Sequence, residues 1–350
     1  MTTATAIESA EMRVAMTRKE VVGRVLRILM LVAVVAWVIA SVTANPTQFF
    51  SSLLFGIGNG ALYGMIALGY TLVYGIIELI NFAHGDLFML STIFSAVLMV
   101  NVFGAETPGP TAWAFMLITL VLAMGFGATI NVLIERVAYR RLRRAPKLAA
   151  LITAVGMSFI LQFVGLKWNG STPKQWPTMI PSGGIGIGEV TLTYSTIVVV
   201  SFTIPVLLLL TYIVQRTKQG RAMRATAQDQ DAARLMGINV DRTIAFTFAL
   251  GGAMAGAAGL LYLESVGTTR YDAGFQLGLI AFTAAVLGGI GNLAGAVLGG
   301  FMIGIIQGLN DGAPYGLGQK WSQTVVFSIL ILVMVFKPTG ILGQPTVEKV

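Results

Sequence analysis

Long apolar stretches, separated by short polar and charged clusters, fill most of the chain after residue 27. Most stretches have about 17 to 25 residues, the length that an α-helix needs to cross a bilayer. Apolar residues follow one another in these stretches instead of alternating with polar ones, which excludes the pattern of a transmembrane β-barrel. The sequence therefore predicts an all-α fold: a polytopic transmembrane helix bundle of 8–10 membrane helices, some of them broken or re-entrant.

Ten membrane segments are the predicted count, and eight is the alternative. The segments lie at residues 26–43, 49–77, 87–103, 113–134, 148–166, 195–214, 243–263, 275–291, 294–309 and 321–337. Segment 49–77 is too long for one straight crossing. The pair at 275–309 is so rich in glycine that one or both helices are expected to be broken or re-entrant.

Composition supports the membrane class and excludes several kinds of chemistry. Only 11% of the 350 residues are charged, against roughly 25% in a soluble domain. The absence of cysteine excludes disulfides, zinc–thiolate sites and thiol nucleophiles. His84 is the single histidine, and no phosphate-binding G-x-x-x-x-G-K-[ST] motif occurs. The sequence therefore predicts no catalytic residue, no cofactor and no metal site, and ATP-driven work would need another subunit.

Lysine and arginine residues predict the orientation of the bundle. Of the 23, 19 fall in clusters that ten crossings place on one side of the membrane. These clusters are residues 1–27, 135–147, 215–242 and 337–350. The positive-inside rule makes that side the cytoplasm, so both termini are expected to be cytoplasmic. Arg270, Asp272 and Glu264 then belong to an expected outer loop. The net charge of +8 follows from the same rule and does not indicate a nucleic-acid partner.

Three parts of the chain are predicted from this pattern. They are a cytoplasmic N-terminal segment (1–27), a transmembrane domain (28–340) and a cytoplasmic tail (341–350). Within the domain, the outer loop 167–193 contains three prolines and a glycine-rich run, so it is expected to form turns or a short hairpin.

The inner loop 215–242 contains a second predicted element. Residues 221–235 are rich in alanine and free of glycine and proline, which predicts one short surface helix. Its charged residues are Arg221, Arg224, Asp229, Asp231 and Arg234, and its apolar knobs are Met223, Leu235, Met236 and Ile238. Such a helix suits docking into the groove of a partner protein. A helix lying on lipid is the alternative.

Polar residues interrupt the apolar pattern at two places. Glu78 and Asp86 flank a stretch that contains Asn81 and His84, and a second break ends at Asn292. Paired interruptions in the two halves of a transporter indicate a translocation pathway. Ionisable residues inside a membrane favour the same interpretation. The predicted pathway residues are Asn81, His84, Asp86 and Asn292, although Asn81 and His84 could instead only satisfy backbone groups at a helix break.

Several stretches resemble the permease subunits of high-affinity branched-chain amino acid ABC importers, in particular the shorter of the two permeases that work as a pair. The resemblance covers residues 55–350. The stretches that carry it are 70–77 (YTLVYGII), 80–86 (INFAHGD), 135–140 (ERVAYR), 220–225 (GRAMRA), 235–239 (LMGIN), 281–292 (AFTAAVLGGIGN) and 337–343 (KPTGILG).

This resemblance implies a bacterial cytoplasmic (inner) membrane protein in a larger complex. The expected partners are a second permease subunit, two cytoplasmic ABC ATPase subunits and an extracytoplasmic substrate-binding protein. It also implies that the loop at 220–239 couples the permease to the ATPases. The coupling residues are then Arg221, Arg224, Asp229, Arg234, Leu235, Met236, Gly237 and Ile238. Asp86 departs from the family pattern conservatively, because many relatives have glutamate there. The resemblance does not fix the substrate, because similar permeases serve urea, short amides and other amino acids.

Two other function classes remain open on the residues alone. One is an ion-coupled secondary transporter that acts without an ATPase, although the few intramembrane carboxylates count against a proton relay. The other is a passive channel for a small neutral solute such as urea or a short amide, which would leave the charged inner helix without a purpose.

Overall fold

The structure is a computed structural model, and it describes residues 18–105, 107–143 and 145–343. The outermost parts of the predicted terminal segments, 1–17 and 344–350, lie outside the described residues. The helices are α1 (Arg18–Ala44), α2 (Pro46–Ile77), α3 (Ala83–Val97), α4 (Pro110–Ile134), α5 (Lys147–Asn169), α6 (Tyr194–Arg216), α7 (Lys218–Gln228), α8 (Gln230–Leu235), α9 (Val240–Val266), α10 (Ala273–Gly288), α11 (Leu293–Gly312) and α12 (Ser322–Phe336). Short π-helical turns, Leu98–Val102 and Glu135–Tyr139, extend α3 and α4.

Apolar helices occur at all ten predicted segments, which confirms the polytopic helical fold. Among the described residues, eight helices are long and apolar enough to cross a membrane, the number given by the alternative count. They are Pro46–Ile77, Ala83–Val102, Pro110–Leu142, Leu148–Asn169, Tyr194–Arg216, Val240–Val266, Leu293–Gly312 and Gln319–Phe336. Two further apolar helices, Leu31–Ala44 and Ala273–Gly288, are shorter.

Burial separates the helices into a centre and an outer layer. In the most apolar 18-residue stretch of each helix, 83% of the residues are buried in α2 and 72% in α9, but only 17% in α6 and 11% in α12. Apolar side chains that are exposed along a membrane helix face lipid or another subunit. The core of this chain is therefore built around α2 and α9.

The overlong segment 49–77 lies within one unbroken helix, α2, whose length exceeds the roughly 20 residues of one straight crossing, as the sequence indicates. Helix α2 has 32 residues and a length of about 48 Å at 1.5 Å per residue. Asn45 caps its start and Pro46 occupies the first turn, a favoured position for proline. The helix ends at Glu78, which has a left-handed backbone conformation (φ 53°) and whose backbone N–H donates a hydrogen bond to the Tyr74 carbonyl.

Small residues let α2 and α11 pack backbone to backbone. A Cβ atom added at Gly60 would lie 2.7 Å from the Cα of Phe301, and one at Gly56 would lie 2.8 Å from the carbonyl oxygen of Gly304. Van der Waals contact at such close range is what drives helix association where lipid replaces water. Glycines recur every four residues at 56, 60 and 64 in α2 and at 300, 304 and 308 in α11, and this spacing has a packing role within the chain.

Of the two glycine-rich segments in 275–309, one forms a short helix and the other a helix of ordinary length. Helix α10 is short, with 16 residues, or about 24 Å, whereas α11 is unbroken over 20 residues. The two are joined by a turn at Gly289 and Gly291, both with positive φ.

The outer loop forms the predicted hairpin and is tied to α9. Strands β2 (Gly184–Ile187) and β3 (Val190–Thr193) pair antiparallel, while β1 (Lys174–Gln175) pairs with β4 (Thr268–Thr269). Glu264 was expected in a loop, but it lies inside α9, 1% exposed, where its carboxylate accepts a hydrogen bond from the Met179 backbone N–H at 2.6 Å. The segment before the hairpin is therefore held on the end of α9.

Candidate functional site

The inner loop forms two helices, not the single helix that the sequence predicts. Helix α7 ends at Gln228 and α8 begins at Gln230. Asp229 separates them, because its carboxylate accepts hydrogen bonds from the backbone N–H groups of Asp231 and Ala232 at 2.8 and 3.0 Å. An aspartate in this N-cap position favours a new helix start even where no glycine or proline breaks the chain.

Helix α7 is joined rigidly to the end of α6. The Thr217 hydroxyl caps α7 by accepting a hydrogen bond from the Gly220 N–H at 3.0 Å. The Arg224 guanidinium donates to the backbone carbonyl of Val214 in the last turn of α6, a favourable place for a cation because the carbonyl end of a helix is negative. Arg224 therefore fixes the angle between two helices of the predicted coupling region.

Only part of the predicted apolar surface is available to a partner. Met223 is 3% exposed and packs in the core, so its prediction as a docking knob was wrong. Ile238 is partly buried against the same core. By contrast, Leu235 and Met236 are 89% and 82% exposed. These two side chains, at the end of α8, form what we call the inner knob.

The remaining predicted coupling residues surround the inner knob. Arg234 forms an ion pair with Asp231 at 2.7 Å on the exposed side of α8. Gly237 follows the knob with φ 80°, a left-handed conformation that glycine adopts without strain. Arg221 is exposed on α7.

The first polar break is hydrogen-bonded to α4 and, through it, to α9. Asn81 donates to the Asn131 side chain of α4 at 3.3 Å and accepts from the Tyr139 hydroxyl at 3.1 Å. Asn131 in turn donates to the Phe248 carbonyl of α9 at 2.7 Å. Each amide is buried, so these bonds replace those that water would supply. Asn81 thus has a packing role, and its place in a pathway stays a prediction.

His84 and Asp86 lie in the first turn of α3, both fully buried. The His84 ring packs edge-on against Tyr70, with ring centroids 4.8 Å apart, and fills the space beside Gly69. The Ser158 hydroxyl of α5 donates to Asp86, and Gln162 donates to that hydroxyl at 3.3 Å. Among the described residues, no basic side chain forms an ion pair with Asp86.

The start of α3 lies at the middle of the bundle. Ser158, the partner of Asp86, is the central residue of the membrane helix α5. Helix α10 starts at the same level, because a Cβ atom added at Gly274 would lie 2.9 Å from the Cα of Asp86. Two helices therefore begin side by side at mid-depth, an arrangement that places the positive ends of two helix dipoles inside the membrane.

The loop before α10 reaches this depth from the outer end of α5. Thr269 accepts a hydrogen bond from Asn169, the last residue of α5, whereas Gly274 lies at the level of Ser158. Those two levels are 11 residues apart on α5, or about 16 Å. Residues 270–273 therefore enter the bundle. Arg270 directly follows Thr269 at the outer end, as expected for an outer loop, whereas Asp272 lies deeper than an outer loop would place it.

Asn292 is not brought together with the other predicted pathway residues. It lies beyond the far end of α10, so it is separated from Asp86 by about the 24 Å length of that helix. Its side chain caps α11 at Gly295 and donates to the Leu342 carbonyl at 2.9 Å. These bonds join the end of the domain to the tail.

A buried ion-pair cluster was missed by the sequence analysis. Glu135, fully buried in the π-helical turn after α4, pairs with Arg143 and, at 3.1 Å, with Arg140. Arg143 also pairs with Asp241 in the first turn of α9. A buried carboxylate needs such partners because its desolvation is costly. The spacing of Glu135 to Arg140 and Arg143, five and eight residues, was the available signal.

Comparison with known proteins identifies the family of this chain. Residues 52–335 match the model of the family described as "Branched-chain amino acid transport system / permease component". The chain belongs to this family. The family membership confirms the resemblance found in the sequence and makes the chain a membrane transport subunit.

Relatives in this family align along nearly their whole length. The chain is 40% identical over 310 residues to the high-affinity branched-chain amino acid transport system permease protein BraD of Pseudomonas aeruginosa, covering 87% of this chain and 98% of BraD. It is 40% identical over 311 residues to the corresponding protein LivH of Escherichia coli K12, covering 86% and 98%. The xylose transport system permease protein XylH of Escherichia coli K12 is 30% identical over 199 residues, about half of each chain.

Proposed function

We propose that this chain is the permease subunit of an ABC importer that takes up branched-chain amino acids and is powered by separate ATPase subunits. The observation that carries the proposal is the 40% identity to BraD, which extends over 98% of that protein. The inner knob supports it, because an exposed Leu235 and Met236 at a helix end form the kind of apolar projection that enters a groove on a partner.

The partners in this proposal are those that an importer of this kind needs. A second permease would cover part of the exposed apolar surface, two ATPases would bind at the inner knob, and a binding protein would deliver the amino acid from outside. The distribution of lysine and arginine supports a cytoplasmic position for the inner knob, for residues 1–27 and for the tail 341–350.

The joined helices α6 and α7 suggest how ATP hydrolysis would reach the membrane. Movement of the ATPases would displace α8, and the bonds of Thr217 and Arg224 to neighbouring helix ends would transmit that movement to α6. Helix α9 follows α8 after four residues, so it would move as well. A pathway lined by the region of Asp86 would then open alternately to the two sides.

Replacing the inner knob tests this proposal. We expect Leu235→Asp and Met236→Asp each to reduce the amount of ATPase that copurifies with the tagged chain in mild detergent by at least about tenfold, because a lost contact of about 1.4 kcal/mol has that effect. Both side chains point away from the core, so the permease itself should fold normally.

Ile187→Asp is the matched control for this experiment. Ile187 is 61% exposed in the hairpin at the other end of the bundle. Its replacement introduces the same charge on an equally apolar side chain and should leave ATPase binding unchanged. Equal ATPase recovery from the parent chain and all three variants would show that the inner knob is not the docking site.

A further inference from the structure

Three charged groups meet where α3 and α10 begin. Arg270 pairs with Asp272, the N-cap residue of α10. Asp86 lies beside the same helix start, because a Cβ atom added at Gly274, two residues after Asp272, would lie 2.9 Å from the Cα of Asp86. The group thus holds one guanidinium and two carboxylates; the guanidinium pairs with Asp272, and among the described residues Asp86 has only neutral hydrogen-bond partners. The group as it stands lacks one positive charge.

The carboxylates also have free bonding capacity. The Oδ1 atoms of Asp86 and Asp272 are buried and have no hydrogen-bond partner among the described residues. Both residues lie at positive helix ends, which stabilise negative charge. A buried acceptor without a partner is costly, so these two oxygens indicate a cationic donor that enters the site from outside the chain.

This charge group lies at an exposed face. The side chains of Arg270 and Asp272 are 55% and 31% exposed, and Gln276, in the first turn of α10, is exposed beside them. Charged side chains at the level of the membrane helices do not face hydrocarbon; they face a water-filled cavity or another protein surface. This face therefore borders an aqueous passage or the second permease.

We propose that this charge group binds the zwitterionic head of the transported amino acid. The ammonium group lies on the Asp272 carboxylate, with the buried Asp86 carboxylate behind it adding negative charge, and the carboxylate lies on the Arg270 guanidinium, which can donate two parallel hydrogen bonds. The exposed Phe275 ring offers apolar surface for the aliphatic side chain. The inference rests on the proposed function, since it takes an amino acid as the substrate.

The internal ion pair keeps this site weak. Arg270 and Asp272 satisfy each other when the site is empty, so the amino acid must replace one ion pair with two new ones. Such an exchange releases little net free energy, because the charges are paired both before and after it. Weak binding suits a passage that has to release its substrate.

A single-cysteine variant tests the site, because the natural chain has no cysteine. In the assembled transporter without the external binding protein, we expect Gln276→Cys to react with the water-soluble reagent methanethiosulfonate ethylammonium. Phe159→Cys is the control for depth: residue 159 follows Ser158 but presents an exposed apolar surface. A thiol in hydrocarbon stays protonated and unreactive.

Protection by substrate analogues identifies the chemistry. L-leucine should slow the reaction of Gln276→Cys at least about threefold at saturating concentration. Neither 4-methyl-2-oxopentanoate, which lacks the ammonium group, nor isopentylamine, which lacks the carboxylate, should do so. Adding Asp272→Asn or Arg270→Gln should abolish the protection by leucine while the ATPases still copurify.

Three results would overturn the inference. They are reaction of Gln276→Cys no faster than that of Phe159→Cys, no protection by leucine, and equal protection by all three compounds. Failure of the proposed function is a separate observation, because it would appear as loss of ATPase copurification from the parent chain.

Discussion

Replacing Gly60 with leucine should prevent the chain from folding. The added Cβ would lie 2.7 Å from the Cα of Phe301 and 3.1 Å from the carbonyl oxygen of Gly300, so it meets backbone atoms that cannot rotate away. Forcing α2 and α11 apart would break a backbone-to-backbone contact that runs along both helices. We expect a loss of at least about 3 kcal/mol, seen as aggregation in size-exclusion chromatography of the detergent-solubilised protein.

Gly125→Leu is the control for this prediction. Gly125 also lies in a membrane helix, α4, but an added Cβ there has no heavy atom within 4 Å. Its replacement should leave the elution profile and the thermal midpoint nearly unchanged. A Gly60→Leu variant that elutes and melts like the Gly125→Leu variant would contradict the close packing of α2 on α11.

The second large effect is expected at the buried ion-pair cluster. Arg143→Ala removes one of the two cations that face Glu135 and also breaks the contact with Asp241 on α9. A buried carboxylate is then compensated only by Arg140, whose side chain is 38% exposed. We expect a loss of about 3 kcal/mol of stability, measured as a fall in the denaturation midpoint in detergent.

The double variant Arg143→Ala, Glu135→Gln separates the charge from the packing. Removing the stranded carboxylate should restore a large part of the lost stability, because the desolvation cost disappears with the charge. Arg136→Ala, at an exposed basic residue of the same π-helical turn, should have little effect. A double variant no more stable than Arg143→Ala would show that the arginine acts through packing alone.

Much of the fold is encoded locally and could be predicted from the sequence. Apolar runs of membrane length place the helices to within a few residues, and the glycine spacing in segment 49–77 indicates the close contact that Gly60 makes. The outer hairpin follows from the turn residues around Gly188. Leu235 and Met236 were also correctly predicted as exposed apolar side chains.

Features that depend on tertiary contacts could not be predicted in the same way. Hydropathy shows which residues are apolar but not how deep a loop residue lies in the bundle, so Asp272 was expected at the outer surface although residues 270–273 enter the bundle. Met223 is buried because α7 contacts the membrane helices. Thr226, three residues further on, lies on the same buried face of α7. The helix break at Asp229 had a local signal, since aspartate is a preferred N-cap residue.

These results place the two candidate regions at different levels of one chain. The inner knob lies in the inner loop, whereas the charge group of Asp86, Arg270 and Asp272 lies between the middle and the outer end of α5. Helix α9 connects them, because it begins after the inner loop and ends just before residues 267–272. Movement of α9 could therefore link ATPase docking to the opening of the substrate site.

Energy coupling is the central claim, and uptake into proteoliposomes tests it most directly. The chain would be reconstituted with its second permease and ATPases, and uptake of radiolabelled L-leucine from the binding protein would be measured with and without ATP on the ATPase side. We predict uptake that requires ATP and that persists when ionophores collapse the proton and sodium gradients. Uptake that continues without ATP, or that stops when the gradients are collapsed in the presence of ATP, would contradict the account.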